Sequence, residues 1–418
     1  MGKREGISRL TMAIIVIIVV IAAIIGVYVG FILPTQKVKA KPIPVGFIGP
    51  FSGPAAYNGE EMKRGAILAV EEVNAKGGIN GRNITLIFGD TESKPSVGAA
   101  VVRKLIEEDK VYVIGGGYHS SVNLVTTEVA QKYKTPIVIA VAITPDITKR
   151  GFDYVFRTTP NASQFLIPEV TFIMENLRPK NCAALLEDTD YGRSSFAVWK
   201  KVAEKYGCKV LDVEYFEIGQ KDFTTAISKL KSFNPQVTFV VASTTEGALI
   251  LKQAKALDFN TQIATMGGMM TPAFFKMAGK DANYIIANGL DPNLMAAKRS
   301  IAKDFVRKYV ARWGVKPRLF AAQAYDNMLV IIDALKRANL NGDLQSIRKS
   351  IRDALRNTSI EGVTGHIEFD KTGQEYTIKV NVIQIQPGPN GEPTPQIIWP
   401  PELATSKYIP PPPWKERE

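Results

Sequence analysis

Residues 44–90 read PVGFIGPFSGPAAYNGEEMKRGAILAVEEVNAKGGINGRNITLIFGD, and the order of patterns within them sets the fold class. Val45 to Gly49 is an apolar run of strand length. A loop rich in glycine and proline, Gly49 to Gly59, then leads into a helix over Gly59 to Asn74. In that helix Met62, Ala66, Ala69, Val70 and Val73 recur at spacings of three and four and make one buried stripe. Gly77-Gly78 ends it, and Ile84 to Phe88 is a second apolar run. Two strands joined through a helix pair in parallel, with the helix packed on the sheet.

The same rhythm runs downstream. Val97 to Glu107 predicts a helix, Val111 to Ile114 a strand, Val122 to Tyr133 a helix and Pro136 to Val141 a strand. It restarts with strands at Cys182 to Glu187, Val210 to Phe216 and Val237 to Ala242, separated by helices at Ser195 to Tyr206 and Phe223 to Lys231 and followed by one at Glu246 to Leu257. Two doubly wound α/β lobes follow from this count. Ile301 to Trp313, Ala321 to Ala338 and Ser346 to Arg356 are further helices, and His366 to Phe369 with Thr377 to Ile385 reads as a late hairpin. Pro410 to Pro413 before Trp414 predicts an extended, poorly packed end, residues 401–418.

Upstream, Leu10 to Leu33 contains no charged residue. A hydrocarbon core of about 30 Å needs roughly 20 apolar helical residues, whereas a secretory apolar region usually stops at about 7 to 15. The segment 10–33 therefore reads as a transmembrane anchor. Lys3, Arg4 and Arg9 keep the tail 1–9 in the cytoplasm, and a linker, 34–42, leads to a body outside the cell membrane. The rival reading is a cleaved signal peptide with a site at Val38 to Ala40, set among Lys37, Lys39 and Lys41. Gly26 and Gly30 give a GxxxG spacing that can pair membrane helices.

Composition narrows the function. Apolar residues make 45% and charged residues 22% of the chain, an ordinary globular balance. The net charge of +12 comes from Lys and Arg interleaved with Asp and Glu. No zinc-finger spacing, aromatic RNA-binding motif or long basic block accompanies it, so no nucleic-acid partner is expected. Cys182 and Cys208 exclude a CxxC metal site. Each begins a strand, with one helix between, so the pair suits a disulfide or two buried thiols equally. Asn83, Asn161 and Asn357 head N-x-Ser/Thr sequons.

In open α/β sheets ligands bind beyond the carboxyl ends of the strands. Two loops are selected, Gly49 to Gly59 and Gly115-Gly116-Gly117-Tyr118-His119-Ser120-Ser121. Glycines, hydroxyls and free N–H groups at a helix start suit an anion there, or simply make a tight turn. Neither is a nucleotide loop, because the Lys-Ser/Thr ending and a GxGxxG after the first strand are missing. His119 reads as a ligand contact rather than a metal ligand, since a metal site needs three or four donors and no second histidine lies near it. No metal and no cofactor is expected. Asp90 reads as a loop hydrogen-bonding residue, Tyr325 and Asp326 as packing residues. Met266, Met269 and Met270 suit either the pocket or the core.

Beyond Pro44 the chain resembles the branched-chain amino-acid class of extracytoplasmic solute-binding proteins that feed ABC transporters. The resemblance is carried by Gly49-Pro50-Phe51-Ser52-Gly53-Pro54, Glu72 to Arg82 with Asp90, Asp188-Thr189-Asp190-Tyr191-Gly192, Lys221-Asp222-Phe223-Thr224, Ala324-Tyr325-Asp326 and Gly365 to Asp370. It implies the type I periplasmic-binding-protein fold, two Rossmann-like lobes joined by crossovers near Pro160, Asp291 and Gly365. Residues 43–160 and 291–365 then make lobe 1, and 161–290 and 366–400 lobe 2. It further implies that solute binds in the cleft and the lobes close over it. By this resemblance Tyr191 covers the ligand, the Tyr57-Asn58 pair stands where the family has a first-lobe aromatic, and Ser120 and Ser121 match a serine run. The family serine that takes the ligand carboxylate falls on His119, and its alanine-threonine pair falls around Ala142, Ile143 and Thr144.

One departure concerns the ligand amine. The family glutamate that holds the ammonium falls on Gly267, within Ala264-Thr265-Met266-Gly267-Gly268, which has no acid. A buried ammonium needs charged or several polar partners. Either Asp188, Asp190 or Glu246 substitutes, or the ligand lacks an amine and a pocket with Met266, Met269 and Ile143 takes an apolar carboxylate, an amide or an aromatic acid. The resulting expectation is a membrane-anchored receptor that delivers a small organic solute to an ABC permease and performs no chemistry. A sensor using the same clamp would need a signalling partner. A hydrolase would need a nucleophile and base, yet there is no GxSxG elbow, and His119 and His366 lack triad companions.

Overall fold

A computed structural model describes residues 8–31, 41–401 and 403–417, the first stretch with side chains through Ile24. The chain divides into an N-terminal unit, residues 1–41, and a body, 42–418. The N-terminal unit holds helix α1 (Arg9–Phe31). Among the described residues no helix is long and apolar enough to cross a membrane. Lys3 and Arg4, the linker before Lys41 and the candidate cleavage site lie outside the described residues.

In the body, the quoted stretch forms β1 (Ile43–Gly49), α2 (Ala56–Ala75) and β2 (Ile84–Asp90). Next come α3 (Pro95–Glu107), β3 (Val113–Gly116), α4 (Ser120–Lys132), β4 (Ile137–Ile139), the short α5 (Asp146–Lys149) and β5 (Val155–Arg157). The five strands make one parallel sheet in the order β2-β1-β3-β4-β5. The chain then builds α6 (Ala162–Asn176), β6 (Asn181–Glu187), α7 (Asp190–Lys205), β7 (Lys209–Phe216), α8 (Thr224–Ser232) and β8 (Val237–Val241). α9 (Thr244–Ala256), β9 (Gln262–Thr265), α10 (Pro272–Ala278) and β10 (Ile286–Gly289) complete that run. Strands β7-β6-β8-β9-β10 repeat the parallel order of the first sheet, as the restart of the pattern implies.

The return to the first sheet carries α11 (Pro292–Met295), α12 (Ser300–Trp313), α13 (Leu319–Arg337) and α14 (Leu344–Arg356). Helix α13 is buried along most of its length and packs on α2. A Cβ at Gly65 would lie 2.1 Å from the Ala321 carbonyl oxygen, so only glycine allows this approach. Tyr325 and Asp326 are packing residues, as expected. The Tyr325 hydroxyl donates to Glu72 at 3.0 Å, and Asp326 accepts from the N–H groups of Val363 and Thr364 at 2.6 and 2.8 Å. Asp90 accepts from the N–H of Phe51 at 2.9 Å and so holds the first loop.

The late hairpin differs from its expectation. β11 (Ser359–Glu361) pairs with β12 (His366–Glu368), whereas β13 (Asn381–Pro387) joins β10 and pairs antiparallel with β14 (Pro393–Trp399). Pro393 and Pro395 hide β14 in the sequence. It is an edge strand, where proline is tolerated. The chain also stays on the first sheet beyond Gly365. Gly373 accepts from the Arg157 N–H at 2.9 Å, and the Glu375 N–H donates back to Arg157 at 3.0 Å.

The proline-rich end is extended but not poorly packed. Trp414 is buried in the second-lobe core, its indole N–H donating to Phe259 and its backbone N–H to Asn260, each at 2.8 Å. The prolines hold the strap straight between that anchor and the Ile409 N–H, which donates to Gln384 at 2.9 Å.

Cys182 and Cys208 are joined in a disulfide that ties the starts of β6 and β7, with Cα atoms 6.2 Å apart. Closing a loop of this length restricts the unfolded chain by about 3.5 kcal/mol. Reduction, or the double change of both cysteines to serine, is expected to lower the unfolding free energy by about 2 to 4 kcal/mol in urea titrations while leaving the native circular dichroism spectrum unchanged.

Candidate functional site

The carboxyl ends of strands from both sheets open on one cleft with a cavity volume of about 120 Å³. A water needs about 10–15 Å³, so the space holds on the order of ten waters, or one small organic molecule in their place. Both sheets reverse their strand order here, between β1 and β3 and between β6 and β8.

The first-lobe wall begins with a turn that only glycine can make. Gly116 and Gly117 have φ of 91° and 89°, and a Cβ on either would lie within 2.3 Å of Ile48 or Asn123. The buried Asn327 accepts from the Gly116 N–H at 3.1 Å and fixes the turn against α13. The turn delivers Tyr118, His119, Ser120 and Ser121 to the cleft at the start of α4. His119 makes no side-chain cap bond there, so the helix opens towards the cavity with its first N–H groups and positive dipole end. Burial pushes the imidazole down to about 4, so it is neutral at pH 7, and its Nδ1 has no partner. Ala142 and Ile143 continue the wall. Arg157, fully buried, donates to the Ala142 and Thr144 carbonyls at 3.1 and 2.7 Å and so sets that loop.

The second-lobe wall rises from β6, β8, β9 and β10. Glu187 ends β6 and is only 5% exposed. It accepts from the hydroxyls of Thr189 at 2.9 Å and Ser243 at 3.3 Å. Burial, assisted by repulsion from Glu246, raises its carboxyl to about 7. Thr189 also caps α7 by accepting from the Gly192 N–H at 3.1 Å, which places Tyr191 on the first helical turn. The Tyr191 hydroxyl is buried without a partner. Met266 and Met270 line the cleft, whereas Met269 is core packing. Asn288 donates to the buried Glu169, whose carboxyl burial raises far above its usual range. From the start of α13, Arg318, Phe320 and Gln323 close the end of the cavity, with Arg318 paired to Asp291 at 2.7 Å.

Seven sequence-selected residues meet in this cleft: His119, Ser120, Ser121, Ala142, Ile143, Tyr191 and Met266. Four do not line it. Tyr57 is half exposed beside Glu61, because the first loop carries it away from the cavity. Asn58 stands behind the wall and donates to the Tyr118 hydroxyl at 2.8 Å. Thr144 is spent on lobe contact, with its hydroxyl 3.0 Å from that of Ser194 on α7. Glu246 accepts from the Gly219 N–H at 2.9 Å and thereby holds the loop whose Ile218 reaches the cleft. Asp188 pairs with Arg193 at 2.5 Å, and Asp190 is outside the lining. Glu187 was missed in the sequence, where its one local signal is an acid closing an apolar strand at its carboxyl end. Arg318 and Gln323 arrive from a distant helix and left no local signal. Among the described residues, no group of three or more His, Cys, Asp or Glu could hold a metal ion.

Two doubly wound lobes with opposed strand ends and a small closed cavity define a solute-binding clamp. Residues 42–392 match the sequence profile of the periplasmic binding proteins, and the chain belongs to that family. The chain is 26% identical over 332 residues to Leu/Ile/Val-binding protein homolog 3 of Brucella melitensis, covering 79% of this chain and 88% of that one. It is 27% identical over 341 residues to the leucine-, isoleucine-, valine-, threonine- and alanine-binding protein of Pseudomonas aeruginosa, covering 81% and 88%. Among solved structures, the branched-chain amino acid transporter substrate-binding protein LivJ of Streptococcus pneumoniae, in complex with isoleucine, superposes with a TM-score of 0.75 at 27% identity, covering 86% and 100%. These similarities place the chain in the branched-chain amino-acid class of ABC-transporter solute-binding proteins, extracytoplasmic receptors rather than enzymes.

Glu187 gives the site a measurable electrostatic cost. Its folded value of about 7 exceeds the ordinary 4.5, so the native state holds the proton more tightly than the unfolded chain. The penalty is complete above about pH 7 and absent below about pH 4.5. Glu187→Gln is therefore expected to stabilise the unliganded protein at pH 8 by up to about 3 kcal/mol and to leave it unchanged at pH 4.5, read from urea unfolding at both values.

Proposed function

We propose that the protein is a membrane-tethered receptor that closes over a small organic solute and presents it to the permease of an ABC importer. One observation carries the reading. The cavity is walled by both lobes, and four buried polar atoms on its lining, Ser93 Oγ, His119 Nδ1, the Tyr191 hydroxyl and Gln323 Oε1, have no partner within the protein. Buried polar groups are normally paired, so such a set is a surface waiting for a ligand. Ligand contacts from both walls favour the closed arrangement, in which Thr144 meets Ser194, and the permease recognises that form. The relatives named for leucine, isoleucine and valine support an amino acid of that type or a related carboxylate or amide. Its carboxylate would sit at the start of α4, against Ser121 and the helix dipole.

The lobes in this reading divide near Pro160 and Asp291. The pairing of Arg157 with Gly373 and Glu375 supports a third crossover between Glu375 and Asn381 rather than at Gly365. The anchor reading rests on the sequence, in which the uncharged run Leu10 to Leu33 has the length that a hydrocarbon core of about 30 Å calls for.

A thermal-shift panel of amino acids, amides, and aliphatic and aromatic carboxylates on the body from Pro42 tests the clamp. A ligand at about 100 times its dissociation constant should stabilise it by about 2.7 kcal/mol. Tyr191→Ala is expected to weaken the best hit at least tenfold in calorimetry. Unchanged affinity would remove the cleft from consideration. For the anchor, the full chain is expected to remain with carbonate-washed membranes and the body alone to be released, whereas a mature N-terminus near Ala40 would establish cleavage instead.

A further inference from the structure

We propose that Glu187 is the group with which this cleft recognises a ligand ammonium, and that capture of an amino acid expels a proton from its carboxyl. The inference rests on the clamp reading and names the ligand class within it. Glu187 lies at the carboxyl end of β6 on the cavity wall, and its hydrogen-bond donors are the neutral hydroxyls of Thr189 and Ser243. A carboxylate has about four acceptor positions, so two donors leave it unsaturated. A buried charge needs a charged partner, and the lining offers none. Arg318 is the one cationic side chain among the lining residues, and Asp291 holds it at 2.7 Å. His119 shares the cleft but is neutral. The cationic partner must therefore arrive with the ligand.

The opposite end of the cavity completes the class. The start of α4 suits a carboxylate, so the two ends together select a small zwitterion, and the apolar lining of Ile143, Phe165 and Met266 takes its side chain. No acid can come from β9 instead. Gly267 has φ of 63°, and a Cβ there would lie 2.4 Å from the Tyr191 hydroxyl. The groups that face Glu187 from the surrounding elements are Tyr118 before α4, Tyr191 on α7 and Glu246 on α9. Both tyrosines are raised by burial and remain protonated, and Glu246 opposes ionisation of Glu187. Without a cation beside it, Glu187 thus holds its proton up to about pH 7. On binding, its O–H bond breaks, the carboxylate accepts from the ligand ammonium and the proton leaves to solvent.

The test is calorimetry on the body with L-leucine and 4-methylpentanoate, which share a skeleton and differ by the amine, or the equivalent pair for any other amino acid that stabilises the protein. The parent is expected to prefer the amino acid at least about 100-fold, and Glu187→Gln to remove that preference while Glu187→Asp retains part of it. At pH 6 the heat of amino-acid binding should vary with buffer ionisation enthalpy as for the release of nearly one proton, an effect that falls to a small fraction by about pH 8 and is absent in Glu187→Gln. Equal affinity for the two compounds, undiminished amino-acid binding by Glu187→Gln, or stabilisation only by amine-free compounds would overturn the inference. The clamp reading would survive each of these as long as Tyr191→Ala still weakens whichever compound binds.

Discussion

Parallel strands cannot be joined by a tight turn. Each must be followed by a crossover that returns the chain to the same end of the sheet, and here the crossovers are helices. Every loop that leaves a carboxyl end is therefore free of the work of closing a hairpin. Of the ten parallel strands, five in each sheet, all but β1 and β5 deliver their following loops to a single cleft. The rest of the molecule serves this arrangement. Helix α13 braces the Gly116 turn through Asn327, Arg157 fixes the loop after β4, and Thr189 ties the end of β6 to the cap of α7.

This constraint explains what could be read from the sequence. Parallel strands buried on both faces appear as continuous apolar runs, and the helices between them carry stripes at spacings of three and four. β1, α2 and β2 were legible within a few residues for that reason, as was the restart at Cys182. The elements that failed depend on partners far along the chain. β14 carries two prolines and gains its identity only by pairing with β13 at the sheet edge. The strap ending at Trp414 has no periodic apolar pattern, and its terminal tryptophan meets the core beside Phe259. A local pattern contains neither fact.

The site divides along the same line. His119, Ser120 and Ser121 follow a strand and open a helix, so position in the pattern exposed them. Thr144 and Glu246 occupy the same kind of position, but their side chains are consumed in tying lobes and loops. Sequence gives the address of such a residue and leaves its partners unknown. For the missing acid at 267 the sequence leaves two ways open, a substitute among Asp188, Asp190 and Glu246 or a ligand without an amine, and it selects those three acids by proximity to motifs; none of them lines the cavity. Glu187 is the last residue of its strand, and only the folded sheet shows that its side chain faces the cavity wall.

Buried charge separates the structural groups from the functional ones. Arg157 and Arg348 are buried and lowered by desolvation, yet each reaches backbone carbonyls, two for Arg348 and two for Arg157 alongside side-chain acceptors. Asp326 is buried and raised to about 6, and it accepts from two N–H groups and a hydroxyl. These groups are complete inside the protein, and each fixes a crossover or a loop. Glu187 has only neutral hydroxyls, while His119 Nδ1 and the Tyr191 hydroxyl have no partner. Groups left incomplete in this way around a cavity are stabilised by a molecule that supplies what they lack. On the proposed reading, closure of the lobes follows from the ligand's chemistry: a cation at β6 and an anion at α4 are held at once only by the closed cleft.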